Sequence, residues 1–441
     1  MQTILIAGAG KSSIYLIQYL LTHAPRNKWK VIVADGDEHA IAEKIKGSHY
    51  AEAAVIDITN PAHREPLVKR ADIVVSLMPP HLHIHLAKDC LAHKKNLITS
   101  SYISPEMKEM DDAVREAGLM FMCEMGLDPG IDHMTANKII HSIHRVAGSI
   151  ISFKSYCGGL IAPESDNNPW HYKFSWNPRN IITAGLGGAK YLQNGKHVEV
   201  PYEQIFENNK KIKVDDLGML AYYPNRDSLR YLELYDVPDI KTFLRATLRY
   251  PAFCKGWENM IRLGLTTMED TFDTKGHTYL SWVKAKTGYK SGSVTQHIAA
   301  KLGISEEDKD MAMLQWLGLF DEVALKQGTF PSGDILLELL LDKWKMAPQD
   351  KDMVVMQHEI EYLHKGTKVK LTSAMVIKGE DRDHSAMAKT VGLPMGILAR
   401  QILTGKIAPP KGVLLPVMPS IYRPVLTELA HHGIVFTENV E

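Results

Sequence analysis

Four short stretches gather side chains suited to catalysis or ligand binding. The first, Glu124-Met125-Gly126-Leu127-Asp128-Pro129-Gly130-Ile131-Asp132-His133, follows the apolar run 119–123. Asp128 ahead of Pro129 predicts a helix start, with Asp128 as N-cap and Pro129 in the first helical position. At a strand's carboxyl end the same segment would also face a bound ligand, and Gly126 and Gly130 would let it approach closely. The second stretch, Ser155-Tyr156-Cys157-Gly158-Gly159-Leu160, offers the Cys157 thiol. That thiol titrates usefully only where an electropositive site lowers its pKa, and is otherwise a small buried hydrophobe. The third and fourth, 223–228 and 245–250, bring Arg226, Arg245 and Arg249 into a chain without net charge. A guanidinium suits bidentate carboxylate recognition, although a single arginine is more often half of a surface ion pair. His81, His83 and His85 raise metal binding, but residues two apart on a helix do not share a face and no acid or cysteine set accompanies them. No metal is expected.

These stretches need elements to hold them. Residues 4–13, ILIAGAGKSS, carry a GKS, but a P-loop would need glycine where Leu5 stands, which excludes that class. The remaining reading is a buried strand at 4–7, Gly8 and Gly10 in a tight turn, and Lys11, Ser12 and Ser13 opening a helix whose amides hold a pyrophosphate. Ser13 stands at the place of the third glycine of that fingerprint. A second run, 30–34, ends at Asp35, about 20 residues on, where a carboxylate accepts hydrogen bonds from the adenosine ribose. Asp35 would repel a 2′-phosphate and Gly36 offers no cation, so these residues favour NAD as cofactor, with NADP second.

Further strand-like runs at 53–56, 72–77, 96–99 and 119–123 alternate with helical patterns, predicting an α/β, Rossmann-type doubly wound parallel sheet. Ligands of such sheets bind outside the carboxyl ends of the strands, which brings Met78, Pro79 and 100–102 into the candidate site. Beyond Asp128 a strand-like run at 150–156, a long polar loop at 162–180 and an alternating hairpin, 353–363 with 367–377 turning at Lys365-Gly366, predict an α+β domain with a mixed sheet. Helical periods at 293–302, 305–317 and 332–344 predict a small helical domain. The helical segment 385–403 would return to the first domain. The expected division is 1–127 with 385–441, 128–265 with 350–384, and 266–349.

Bulk properties narrow the partners. The 441 residues suffice for two or three domains, and their zero formal charge without a long basic run argues against nucleic acid or an anionic membrane surface. No apolar stretch approaches the roughly 20 residues of a membrane span, and no secretory signal opens the chain, so a cytoplasmic protein acting on small molecules is expected. Four cysteines without a CxxC argue against a disulfide scaffold or a structural zinc.

Longer words carry a resemblance. TSSYISP at 99–105, GLDPGIDHM at 126–134, SYCGGL at 155–160, APESDNNP at 162–169, YKFSWNP at 172–178, YPNRDS at 223–228, LRATLRYPAF at 244–253 and SAMAKTVGLP at 385–394 run in family order over essentially the whole chain. The chain resembles the glutamate-forming branch of the saccharopine dehydrogenase family, also called saccharopine reductases. The resemblance implies a nucleotide domain built from both chain ends, with Leu127, Asp128 and Pro129 lining the nicotinamide and Ser175 approaching the cofactor. It implies that Ser101, Tyr102, Asp128, Arg226, Arg245, Ala246 and Thr247 hold saccharopine. Ala246 stands where the family has glycine, Ile161 where it has proline. The implied reaction oxidises saccharopine to glutamate and 2-aminoadipate semialdehyde, or runs in reverse. Its proton transfers have Asp128, Tyr102 and Cys157 as candidates, with His133 behind them, and the residues alone do not select among these. Two rivals are a carboxyspermidine-type imine reductase, whose pocket should be acidic rather than arginine-lined, and a catalytically silent nucleotide-binding protein. A homodimer is expected.

Overall fold

The computed structural model describes residues 1–207 and 210–441. The chain forms two compact units, residues 1–151 with 233–238 and 358–441, and residues 152–232 with 239–357.

In the first unit, β1 (Gln2–Ala7), β2 (Trp29–Asp35), β3 (Ala51–Val55), β4 (Ile73–Ser76), β5 (Asn96–Thr99) and β6 (Met120–Met122) make a parallel sheet in the order β6-β5-β4-β1-β2-β3. Gly412–Leu414 adds a further parallel strand beyond β6. The expected strands are all present, with ends moved by a residue or two. Inner strands are buried along nearly their whole length, as unbroken apolar runs require, whereas edge strand β3 alternates in exposure. This is the doubly wound Rossmann arrangement, and its strand order reverses between β1 and β4.

The helix Ala386–Leu403 packs on the helix Ile14–Asn27, and two glycines explain how closely. A Cβ on Gly392 would lie 3.0 Å from the Leu16 amide nitrogen and 3.1 Å from the Ser12 carbonyl oxygen, and one on Gly396 would lie 3.0 Å from the Tyr19 ring. Close packing at the start of the first helix, the task of a fingerprint's third glycine, is here performed by a glycine of the partner helix. Ser13 is therefore accommodated: its buried hydroxyl donates to the Gly10 carbonyl at 2.8 Å.

In the second unit, β7 (Ser149–Ile161, its first three residues in the first unit), β8 (Ala189–Gln193), β9 (Lys196–Val200), β10 (Lys210–Val214), β11 (Gly218–Pro224), β12 (Arg226–Asp227) and β13 (Thr242–Arg249) form a mixed sheet. β13 runs parallel to β7 and antiparallel to β11. Side chains alternate between the two faces of a strand, so the register sorts them. Tyr156, Leu160, Leu220, Leu244, Ala246 and Leu248 share one apolar cluster. Arg245, Thr247 and Arg249 take the opposite face of β13, with Ser155 and Cys157 as their register partners or neighbours on β7.

The helices Tyr279–Thr287, Val294–Leu302, Lys309–Leu317 and Ser332–Lys343 share a core with Trp170, Phe253 and Trp257. One expectation needs correction here and another needs completing. The helix anticipated at 305–317 starts at Lys309, because the Asp308 side chain caps it by accepting from the Asp310 amide. The segment 162–180 is largely the expected loop, but its aromatic residues turn inward: Trp170, Tyr172 and Phe174 are buried in that core, and Trp170 donates its indole hydrogen to the Met313 carbonyl. Asp352–His364 and Thr367–Lys378 are joined at Lys365-Gly366, both at positive φ, as a two-residue hairpin turn requires.

Substituting Gly392 by Val tests the helix contact. The branched side chain meets main-chain atoms that cannot rotate away, and overpacking of this kind costs about 1–3 kcal/mol. Urea unfolding should show that loss, and fluorescence titration with a reduced nicotinamide dinucleotide should show weaker binding, because the displaced helix carries the glycine turn.

Candidate active site

The glycine turn fits a dinucleotide pyrophosphate. Gly8 has φ +107°, and a Cβ there would lie 3.0 Å from the carbonyl carbon of Leu77, so only glycine lets the end of β1 pass the end of β4. A Cβ on Gly10 would meet nothing within 4 Å, which leaves the turn open to a phosphate in front of Lys11, Ser12 and Ser13. Met78 and Pro79 follow β4 directly, with the Leu77 amide bonded to the Ala7 carbonyl at 2.8 Å. Asp35 ends β2 as expected, but its carboxylate accepts from the Ala9 amide at 2.6 Å and from the Asp37 amide at 3.1 Å. It is thereby tied to the glycine turn.

Asp128 is not the N-cap that the sequence suggested. The Asp128–Pro129 peptide is cis, and the helix runs Ile131–Arg145 with Gly130, at φ +148°, as its N-cap. The chain folds back on itself first: the Gly126 amide donates to the Pro129 carbonyl, while the Ile131 and Asp132 amides donate to the Gly126 and Leu127 carbonyls. Leu127, Asp128 and Pro129 form the tip of this closed loop. The Asp132 carboxylate takes the Gly130 amide at 2.6 Å, the service expected of Asp128. The Asp128 carboxylate instead accepts from the Tyr102 hydroxyl at 3.1 Å, so these two candidates are brought together.

Strand ends hold Tyr102 in place. The Met125 amide donates to the Thr99 carbonyl, the Glu124 amide to the Ser101 carbonyl, and the Ile103 amide to the Glu124 carboxylate at 3.1 Å. Glu124 also bonds His133 at 2.8 Å, whose other ring nitrogen bonds the Tyr235 hydroxyl at 2.6 Å, all without solvent access at the imidazole. His133 thus supports the loop from behind and is not placed to meet substrate. Ser101 has a partner that the sequence concealed: its hydroxyl shares a 2.8 Å hydrogen bond with His83 Nε2, and His83 Nδ1 shares another with the Ser76 hydroxyl. The signal was present in the histidine run, where it pointed to metal.

In the second unit, Cys157 is buried on β7 opposite Thr247 of β13. Arg245 is buried with its guanidinium 4.6 Å from the Tyr231 ring centre, and its main chain is held by Ser228 and Asn225. The 223–228 segment is thus bound alongside Arg245. Arg226 within it is exposed at φ +52°. The Ala246 methyl points into the apolar cluster, so only its backbone remains for a ligand. Gly158 serves packing, since a Cβ there would overlap the Leu248 carbonyl of β13. Ser175 is buried, beside Phe174, whose amide donates to the Trp344 carbonyl.

A doubly wound nucleotide sheet with a loop of paired carboxylate and phenol at its strand ends, and a mixed sheet faced with buried arginines, define the class of two-domain dinucleotide oxidoreductases. Residues 4–122 match the saccharopine dehydrogenase NADP binding domain and residues 126–434 the saccharopine dehydrogenase C-terminal domain, so the chain belongs to the saccharopine dehydrogenase family. It is 32% identical to saccharopine dehydrogenase [NADP(+), L-glutamate-forming] of Schizosaccharomyces pombe, over 100% of this chain and 99% of that one. It is 34% identical to bovine mitochondrial alpha-aminoadipic semialdehyde synthase over 98% of this chain, and spans 47% of that longer protein. The structure superposes on apo saccharopine dehydrogenase (L-Glu forming) of Saccharomyces cerevisiae with a TM-score of 0.88 at 31% identity, covering 100% of both chains.

Burial holds the His83 pKa down at about 4. The unfolded chain takes up this proton near pH 6.5 and the folded chain only near 4, so stability present above pH 6.5 is lost as pH falls towards 4. A shift of this size corresponds to about 3 kcal/mol. Urea unfolding of wild type and His83→Gln between pH 4 and 7 should show a flatter pH dependence in the variant by roughly that amount.

Proposed function

We propose that the protein oxidises saccharopine to glutamate and 2-aminoadipate semialdehyde with a nicotinamide dinucleotide, or runs the same steps in reverse. The observation that carries this is the Tyr102–Asp128 hydrogen bond in a chain of this family; within the second unit, the buried arginine face of β13 supports it. Saccharopine is a secondary amine between two amino-acid carbons and bears three carboxylates. Arg226 and Arg245 supply guanidinium groups for carboxylates, with Ser101, Tyr102 and the backbone at Ala246 and Thr247 as further hydrogen-bonding groups. An arginine-faced wall suits this substrate better than a cationic polyamine conjugate.

Gly8, Gly10 and 11–13 would hold the dinucleotide and Leu127, Pro129 and Ser175 would line its nicotinamide, which would supply the hydride acceptor. The chain's own residues manage protons. The substrate amine must be neutral before hydride leaves the adjacent carbon; its proton passes to the Asp128 carboxylate. Asp128 passes that proton on through Tyr102 to solvent and takes another from the water that adds to the imine; this proton goes to the nitrogen as the C–N bond breaks, and the carbinolamine hydroxyl gives its own to the freed carboxylate as the aldehyde forms. Tyr102 holds the Asp128 carboxylate in position and can pass the proton onward. Cys157, buried and facing Thr247, is the third candidate for that relay.

The relatives' names support NADP. The residues at the end of β2 support NAD, because a 2′-phosphate there would meet the carboxylates of Asp35 and Asp37, and we retain NAD as the preferred acceptor. The functional partition is 1–127 with 385–441 for nucleotide, 128–265 with 350–384 for substrate, and 266–349 as a helical part, in a homodimer. No helix among the described residues is long and apolar enough to cross a membrane.

Reduced-nicotinamide absorbance with saccharopine and either nucleotide tests substrate, acceptor and turnover together; nucleotide binding without turnover would establish a silent relative. Asp35→Ser with Gly36→Arg should shift preference towards NADP, and wild type using NADP better than NAD would remove Asp35 from the ribose. Asp128→Asn should keep unfolding free energy within about 1 kcal/mol, as Asp132 holds the helix start. It should lower kcat/KM for saccharopine at least about tenfold and abolish the acid limb of the pH profile. Full activity in that variant would move the proton chemistry to Cys157 or solvent.

A further inference from the structure

We infer that Arg249 is a third carboxylate-binding arginine, which takes a carboxylate of the substrate on the Nε edge of its guanidinium. The ligand's identity rests on the saccharopine reading; the presence of an anion site rests on the surroundings of Arg249 alone.

Arg249 ends β13 four residues after Arg245, on the same face of the strand. It is 3% exposed. Its guanidinium carbon lies 5.6 Å from the Tyr172 ring centre and 5.5 Å from that of Phe253, which fixes its plane but supplies no negative charge. Nη1 donates to the Leu248 carbonyl at 2.8 Å and to the Gly159 carbonyl at 3.4 Å. Nε is buried and has no acceptor among the described residues.

The charge itself is unbalanced. Three other buried or half-buried basic groups, Arg64, Lys173 and Arg400, each have a carboxylate partner, Asp89, Asp350 and Glu428. The titratable groups facing Arg249 are Tyr223, Tyr172, Cys254 and Cys157, all weak acids. Burial pushes both the Tyr172 hydroxyl and the Cys254 thiol up to about 12, so neither supplies an anion at physiological pH. A guanidinium cannot escape by losing its proton. A lone buried cation destabilises a fold, and such a group is retained where a ligand needs it. The ligand class follows from the donor: a flat, bidentate anion, met side-on by Nε–H and Nη2–H, is a carboxylate. Saccharopine bears one more carboxylate than Arg226 and Arg245 can take singly.

Two variants separate this from a structural role. In Arg249→Met an apolar chain of similar length replaces the cation between the two rings. Without ligand it should melt at or above the wild-type temperature, bind the dinucleotide as wild type does, lose the thermal stabilisation given by saccharopine and by glutarate, and raise the saccharopine KM about tenfold or more. Arg249→Lys keeps charge without the fork and should fall between the two in KM. Arg249→Met that melts lower than wild type yet keeps its saccharopine KM would make Arg249 structural and overturn the inference. If Arg249→Met fails to fold, an unchanged KM in Arg249→Lys overturns it equally. A wild type that glutarate stabilises through Arg249, but that leaves saccharopine untouched, would sink the proposed substrate and leave the anion site standing. Turnover of saccharopine with an unchanged KM in both variants would do the reverse.

Discussion

At Gly130 the backbone passes so close to Gly126 that no side chain can stand there: a Cβ would overlap the Gly126 carbonyl. Much of the first unit's chemistry depends on this crossing. It closes the loop whose tip is Leu127–Asp128–Pro129, and it uses the first amides of the following helix inside the loop. Asp132 then holds the helix start, which leaves the Asp128 carboxylate to Tyr102. A glycine at two positions thus converts an ordinary helix entry into a presented carboxylate.

The loop is stiffened by buried polar groups that do not themselves face the tip. Glu124, at φ +55°, reaches both the Ile103 amide and His133, and His133 reaches Tyr235. His83 plays a comparable part for Ser101, and its depressed pKa keeps the imidazole neutral. A neutral imidazole has one donor and one acceptor nitrogen. When Nδ1 accepts from Ser76, Nε2–H donates to Ser101, whose own hydroxyl hydrogen is then available to an anionic ligand. Fully satisfied networks of this kind hold groups to within fractions of an ångström, as proton transfer demands.

In the second unit the constraint is the alternation of a β-strand. β13 places leucine and alanine towards the apolar cluster and arginine and threonine away from it, so one eight-residue strand serves as core on one face and carries guanidinium groups on the other. Its tight approach to β7 requires Gly158, whose place no larger residue fills. The Tyr172 ring then lies against the buried Arg249 guanidinium, where a charge interacts more strongly because water is excluded.

Strand positions, the glycine turn, the Asp128 segment and the arginine stretches were all legible in the sequence, because they are set by local patterns: apolar runs, alternation, and residues with special backbone or proton chemistry. The family words added the reaction proposed for the chain and the residues proposed to carry it. What the sequence left open was every role decided by a partner distant along the chain. Asp128 read as a cap, since the two glycines that displace it act only through a three-dimensional crossing. His83 read as a failed metal ligand, since Ser101 lies eighteen residues away. The 162–180 segment read as a polar loop, since the helices that bury Trp170, that of Gly256 and Trp257 and those from Tyr279 onward, come far later in the chain. Ser13 read as a defect in the fingerprint, since Gly392 supplies the missing space from the far end of the chain. Local sequence determines which conformations and which chemistries a residue can support; burial and partner choice, which select one of them, are properties of packing and exist only once distant segments meet.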